Sequence, residues 1–250
     1  MRRIALLAVW SLFALAPAAF AGSVKTENVT FASGAETIAG YLAIPDTPGK
    51  RPALLVLHSD GGLTDWTKDQ TRKFAAEGYV ALAVDLYRGH VAFDPELAYN
   101  LMISTPSDRV FRDMEAAIHF LVARADVNKD KIGSIGWSVG GKWSLLLAEN
   151  DPFLAACVSN YGLMPANPAD IQKIHAPVLG IFGADDLLVL RDDVEAFDDA
   201  MTSAHKSFEK KIYRGAGHDF EDSRNKLGFR EELAEEAWSL TLRFLDRHLK

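Results

Sequence analysis

Lys131-Ile132-Gly133-Ser134-Ile135-Gly136-Trp137-Ser138-Val139-Gly140-Gly141 decides how the rest of the chain is read. Lys131 to Gly136 is a short run of strand type, and it leads straight into a serine with glycines two residues to either side. A helical stretch, Gly140 to Glu149, follows. Strand, sharp turn and helix form the setting in which a G-x-S-x-G pattern holds its serine strained and exposed. The glycines leave room for strand and helix to approach closely, and the helix N-terminus puts positive partial charge beside Ser138. The five-residue pattern alone is weak. Its placement makes it informative.

On both sides of this stretch strands alternate with helices. Val29 to Phe31 and Ile38 to Ile44 flank Gly34 and read as a hairpin. Ala53 to His58, Tyr79 to Val84, Leu154 to Ser159, Val178 to Phe182 and Lys206 to Tyr213 read as further strands. Trp66 to Glu77, Val194 to Met201 and Glu231 to Leu249 read as helices. Ser107 to Val122 carries apolar residues at helical spacing, with Ser107 or Asp108 placed as its cap. The alternation predicts a single α/β domain with a mostly parallel central sheet and helices on both faces. In such sheets ligands bind beyond the carboxyl ends of the strands.

A serine hydroxyl is a poor nucleophile until a neighbouring base takes its proton. A serine in this strand–turn–helix setting is followed along the chain by its acid and then its histidine. His248 lies near the end of the last helix, and His205 precedes a strand at the wrong edge. His218 follows Lys206 to Tyr213 through Arg214-Gly215-Ala216-Gly217, at the correct edge. The acid should follow Val178 to Phe182, where Asp185 and Asp186 are adjacent. Their side chains point in different directions, so only one can orient the imidazole, and the spacing does not choose between them. The oxyanion donors are expected to be the N–H of Val139 and one from His58-Ser59-Asp60-Gly61-Gly62-Leu63, with Asp60 or Ser59 presenting it.

These motifs together resemble the dienelactone hydrolase family of the α/β-hydrolases, across the whole chain that follows the leader. The resemblance rests on His58 to Leu63, Asp85-Leu86-Tyr87, Asp113 to Ile118 and Gly136 to Gly141. It continues through Asn160-Tyr161-Gly162, Gly183 to Val189 and Gly215 to Phe220. It implies an α/β-hydrolase fold, Asp186 as the acid, and Asp60 with Val139 as the oxyanion donors. It also implies a small ester or lactone substrate, cleaved through an acyl-enzyme without cofactor or metal. The chain departs from the family pattern in carrying Ser138 where cysteine is typical, and Ser59 where glutamate is. Family members hold a substrate carboxylate with two arginines. Arg88 could correspond to one of them, while Asp222 stands four residues after the histidine where the other is expected. An acid there would repel an anionic substrate. Ser59, Tyr87, Arg88, Trp137 and Phe220 are the candidate substrate-binding residues. The alternatives are a non-catalytic periplasmic binding protein on the same fold, or a hydrolase of short peptides.

Composition narrows the partners. The 250-residue chain has a formal net charge of −7 and no basic stripe, which argues against nucleic acid. Cys157 is the sole cysteine and lies in an apolar run, so no intrachain disulfide forms and a buried strand position is expected. No His/Cys cluster has metal-ligand spacing, and Asp126 to Asp130 reads as a turn before a strand rather than a calcium loop. Arg2 and Arg3, the apolar run Ile4 to Leu15 and Ala19-Phe20-Ala21 make residues 1–21 a cleavable signal peptide by pattern. The remainder, 22–250, is expected to be one periplasmic or secreted domain without a membrane span.

Overall fold

In the computed structural model, which describes residues 23–250, Gly34 takes a positive φ of 61° and turns β1 (Val24–Ser33) back onto β2 (Glu36–Pro45). That hairpin joins an eight-stranded sheet with β3 (Arg51–Leu57), β4 (Val80–Val84), β5 (Val127–Trp137), β6 (Ala156–Asn160), β7 (Val178–Gly183) and β8 (Phe208–Tyr213). The strand order is β1-β2-β4-β3-β5-β6-β7-β8. β1 to β2 and β2 to β4 pair antiparallel, and every other pairing is parallel. The signal-peptide pattern falls on residues that lie outside the described ones. Among the described residues no helix is long and apolar enough to cross a membrane.

Helices α1 (Asp65–Ala76), α2 (Pro95–Ile103), α3 (Ser107–Val122), α4 (Val139–Asn150), α5 (Pro168–Lys173), α6 (Arg191–Ser203) and α7 (Glu231–Leu249) complete the domain. Both faces of the sheet are covered, as parallel pairing requires. Along β3, Ala53, Leu55 and Leu57 pack with Met114 and Leu121 of α3 and Leu145 of α4. Leu54 and Val56 point the other way, toward Phe74 of α1 and Phe244 and Leu245 of α7. The alternation has the two-residue period of a strand, but both sets are apolar, which is why β3 reads as a continuous apolar run. Cys157 is buried in β6.

Three local readings change. α2 is absent from the sequence-based reading because its apolar residues Leu97, Ala98, Tyr99, Leu101, Met102 and Ile103 spread around the helix instead of lining one face, and only Ala98 is buried. It starts instead by capping: Asp94 accepts a hydrogen bond from the Leu97 N–H at 2.8 Å, and Pro95 opens the helix. Neither Ser107 nor Asp108 caps α3, because the helix begins one residue earlier, with Pro106 at the cap position and Ser107 already helical. The segment taken as a turn from Asp126 is mostly the start of β5, where Val127 pairs with Arg51 across an irregularity in the register.

Candidate active site

Ser138 joins β5 to α4 with φ 55° and ψ −119°, a conformation L-residues rarely adopt. Holding it costs about 1–3 kcal/mol, offset by the packing around it. The glycines explain how. A Cβ on Gly136 would lie 2.0 Å from the Gly140 carbonyl oxygen, and one on Gly140 would lie 2.4 Å from the carbonyl oxygens of Leu57 and His58. Backbone therefore passes against backbone, with no space for side chains. The Ser138 N–H donates to the Asn160 carbonyl at 2.9 Å, and the Asn160 Nδ2 donates to the Gly136 carbonyl at 3.1 Å, so β6 holds the turn from below.

The turn presents the serine Oγ to His218, whose Nε2 lies 2.8 Å away. On the other side of the ring, Nδ1 is 2.7 Å from Asp186 Oδ2. An ionised carboxylate only accepts, so Nδ1 carries the ring proton and Nε2 is left to accept from the serine hydroxyl. Asp186 is buried, and its other oxygen accepts from the N–H groups of Leu188 (2.8 Å) and Val189 (3.1 Å). The Asp185 side chain faces solvent, while its N–H donates to the Ala216 carbonyl at 2.9 Å. The choice between the two aspartates is made by the turn after β7.

Electrostatics favour the same arrangement. Burial pushes the Asp186 carboxyl up, but the hydrogen bonds from His218, Leu188 and Val189 outweigh it and hold the group below its usual range. Burial alone would lower His218. The Asp186 hydrogen bond, with the charges of Asp219, Asp186 and Asp60, outweighs burial and raises it. Activity that uses neutral His218 as base should therefore rise with pH through a midpoint above about 6.5, the unperturbed histidine value. Asp219→Asn removes one group that favours the imidazolium, so the midpoint should move to lower pH. The pH profile of kcat/KM for both forms checks the sign; an unmoved midpoint would separate Asp219 from the base.

Among the described residues the N–H groups of Val139 and Asp60 meet no protein acceptor, which leaves both available to a developing oxyanion. The other candidates divide differently. Arg88 is committed elsewhere: its guanidinium pairs with buried Asp113 at 2.7 Å and Glu36 at 2.8 Å, tying α3 and the hairpin together. Phe220 is fully buried between Tyr161 and Tyr213, with ring centroids at 5.7 and 5.5 Å. Trp137 packs beneath the turn against Trp66 at 5.0 Å, and its Nε1 donates to Glu221 at 3.2 Å. Tyr87 is buried against His58 and Trp143. Ser59 is buried as well, and its carbonyl accepts from the His58 Nδ1 and the Gly62 N–H. Each of these five side chains is thus buried or paired with other protein groups.

Asp222 is likewise no bare negative wall. It accepts from the Arg224 Nε at 3.0 Å and Nη2 at 2.5 Å, so its charge is paired. That same guanidinium lies over the Trp66 ring and 3.4 Å from where a Cβ on Gly61 would stand. The repulsion expected of Asp222 is therefore offset by the Arg224 guanidinium beside it. Sequence reasoning also passed over Tyr161, whose ring meets His218 edge-on at 5.1 Å and whose φ is 40°. Its signal was present in Asn160-Tyr161-Gly162. Among the described residues no cluster of metal-ligating side chains occurs.

Comparison with known proteins agrees with this fold. The dienelactone hydrolase family model matches residues 38–249. A Bradyrhizobium protein named "probable 2-oxo-3-(5-oxofuran-2-ylidene)propanoate lactonase" is 32% identical over 240 residues, spanning 91% of this chain and 96% of its own. A solved dienelactone hydrolase-like promiscuous phosphotriesterase from metagenomic libraries superposes with a TM-score of 0.83 at 25% identity, covering 92% of this chain and 100% of that one. A second solved structure, titled m3DLH, reaches a TM-score of 0.84 at 27% identity, with the same coverage.

Proposed function

Because the chain belongs to the dienelactone hydrolase family, within the α/β-hydrolases, and is therefore a hydrolase of ester or lactone bonds, we propose that it works through an acyl-enzyme on Ser138. The observation that supports this most directly is the unbroken run of hydrogen bonds from Ser138 Oγ through His218 to buried Asp186. His218 Nε2 takes the hydroxyl proton as Oγ attacks the carbonyl carbon. The oxyanion forms against the N–H groups of Val139 and Asp60, at the N-terminus of α4. The tetrahedral intermediate collapses, the C–O bond to the leaving group breaks, and His218 returns its proton to the departing oxygen. For a lactone the leaving alcohol stays tethered to the acyl group. Water then attacks the acyl-enzyme, with His218 again as base, and Ser138 leaves with the proton. Asp186 keeps the imidazole in one tautomer and stabilises the cation formed at each step.

The substrate is a small ester or lactone, with no charge preference imposed by Asp222. The leader pattern supports a working enzyme outside the cytoplasm, in the periplasm or secreted. A fluorophosphonate probe should label the protein once, on the peptide containing Ser138, and p-nitrophenyl esters and simple lactones should be turned over. Labelling at another residue, with turnover intact, would move the nucleophile and overturn the assignment.

A further inference from the structure

We infer that His58, which takes no part in the proton transfers, is the positioning residue that aims the Asp60 N–H at the oxyanion. The inference rests on the reading of Ser138 as nucleophile and Asp60 as donor.

His58 directly follows β3 and is fully buried, with its ring packed against Tyr87 at 4.6 Å and Trp143 at 5.5 Å. The Leu86 N–H donates to its Nε2 at 3.2 Å. A backbone N–H can only donate, so Nε2 is bare and the single ring proton sits on Nδ1. Nδ1 in turn donates to the Ser59 carbonyl at 2.7 Å. A second ring proton would set Nε2–H against Leu86 N–H in a dry pocket. Burial acts in the same direction, holding His58 below its ordinary value against the Ser59 carbonyl, Asp85 and Asp60, which pull it up. The ring is thus a neutral donor of fixed direction.

That direction matters because the Ser59 carbonyl and the Asp60 N–H belong to one peptide unit. None of the described peptide bonds is cis. In a planar trans peptide the C=O and N–H point opposite ways, so anchoring the oxygen fixes where the N–H points. The Gly62 N–H also donates to the Ser59 oxygen, at 3.1 Å, so both of its lone pairs are occupied and the unit cannot rotate without breaking two bonds. Polarising the carbonyl also strengthens the N–H on its far side as a donor. The anchor is itself registered to the nucleophile, since α4 touches the backbone carbonyl of His58 at Gly140.

The test uses His58→Phe, His58→Asn and His58→Gln in the full protein, with a matched p-nitrophenyl ester and thionoester. Asparagine places an N–H where Nδ1 stands, whereas glutamine places its polar end at Nε2. His58→Phe should lower kcat on the ester by about 30- to 300-fold with KM within about threefold, because the lost contact acts on the transition state. The ester-to-thionoester rate ratio should fall at least about tenfold, since sulfur accepts poorly from N–H and loses less. His58→Asn should recover most of the ester rate, and His58→Gln should not. Equal losses on ester and thionoester, or more than a third of native kcat in His58→Phe, would overturn the inference. Should His58→Phe fail to fold by circular dichroism, the Asn and Gln pair decides, and equal rates in the two would overturn it. Ser138→Ala run alongside separates the two readings. An active Ser138→Ala defeats the site assignment, while an inactive one beside an undiminished His58→Phe defeats only the role of His58.

Discussion

Ser138→Ala should lower kcat by at least about 10³-fold while the protein stays folded. Among the described residues the Oγ makes one hydrogen bond, to His218, so its removal takes away attack and little else. Alanine meets the same backbone penalty at φ 55° that serine does, and the glycine contacts that force the turn are unchanged. Residual hydrolysis would come from water held beside His218 and the two N–H donors. Initial rates on a p-nitrophenyl ester, with a thermal melt of each form, make the comparison. If more than a tenth of the activity survives, Ser138 is not the nucleophile.

Asp186→Asn should cost on the order of 10³- to 10⁴-fold in kcat, and Asp185→Asn less than about threefold. The size of the first effect follows from the second oxygen of Asp186. Oδ1 already accepts from Leu188 and Val189, so an asparagine keeps its carbonyl oxygen there and turns its NH₂ toward His218. Two donors cannot face each other. Nδ1 must then accept, which moves the ring proton to Nε2, where it confronts the serine hydroxyl it should be accepting from. Charge stabilisation of the imidazolium is lost as well. Asp185 has its side chain in solvent, and its part in the turn is made by its backbone. Measured kcat values for the two variants on one substrate give the answer, and a reversed order would transfer the role to Asp185.

Local pattern made much of this molecule legible. The β3, β4 and β7 runs are apolar on both faces because each strand is covered on both sides, and that composition is visible without coordinates. The turn at Ser138 is legible because its glycines, its preceding strand and its following helix are contiguous. His218 is legible because the order of elements along the chain sets which strand ends share an edge. α2 is not, since its apolar residues spread around the helix and mark no single face.

Residue identity and spacing by themselves determined the fold class, and they singled out the serine, the histidine and the two adjacent aspartates from which the proposed triad is drawn, because each is a property of contiguous sequence or of chain order. Tertiary structure alone decided which partner each polar side chain takes. Arg88 goes to Asp113 and Glu36, Asp222 goes to Arg224, and Asp186 rather than Asp185 reaches a histidine 32 residues further along the chain. Partner choice depends on where side chains converge in space, and a buried charge or hydrogen-bonding group takes the nearest partner that satisfies it, whatever its distance in sequence.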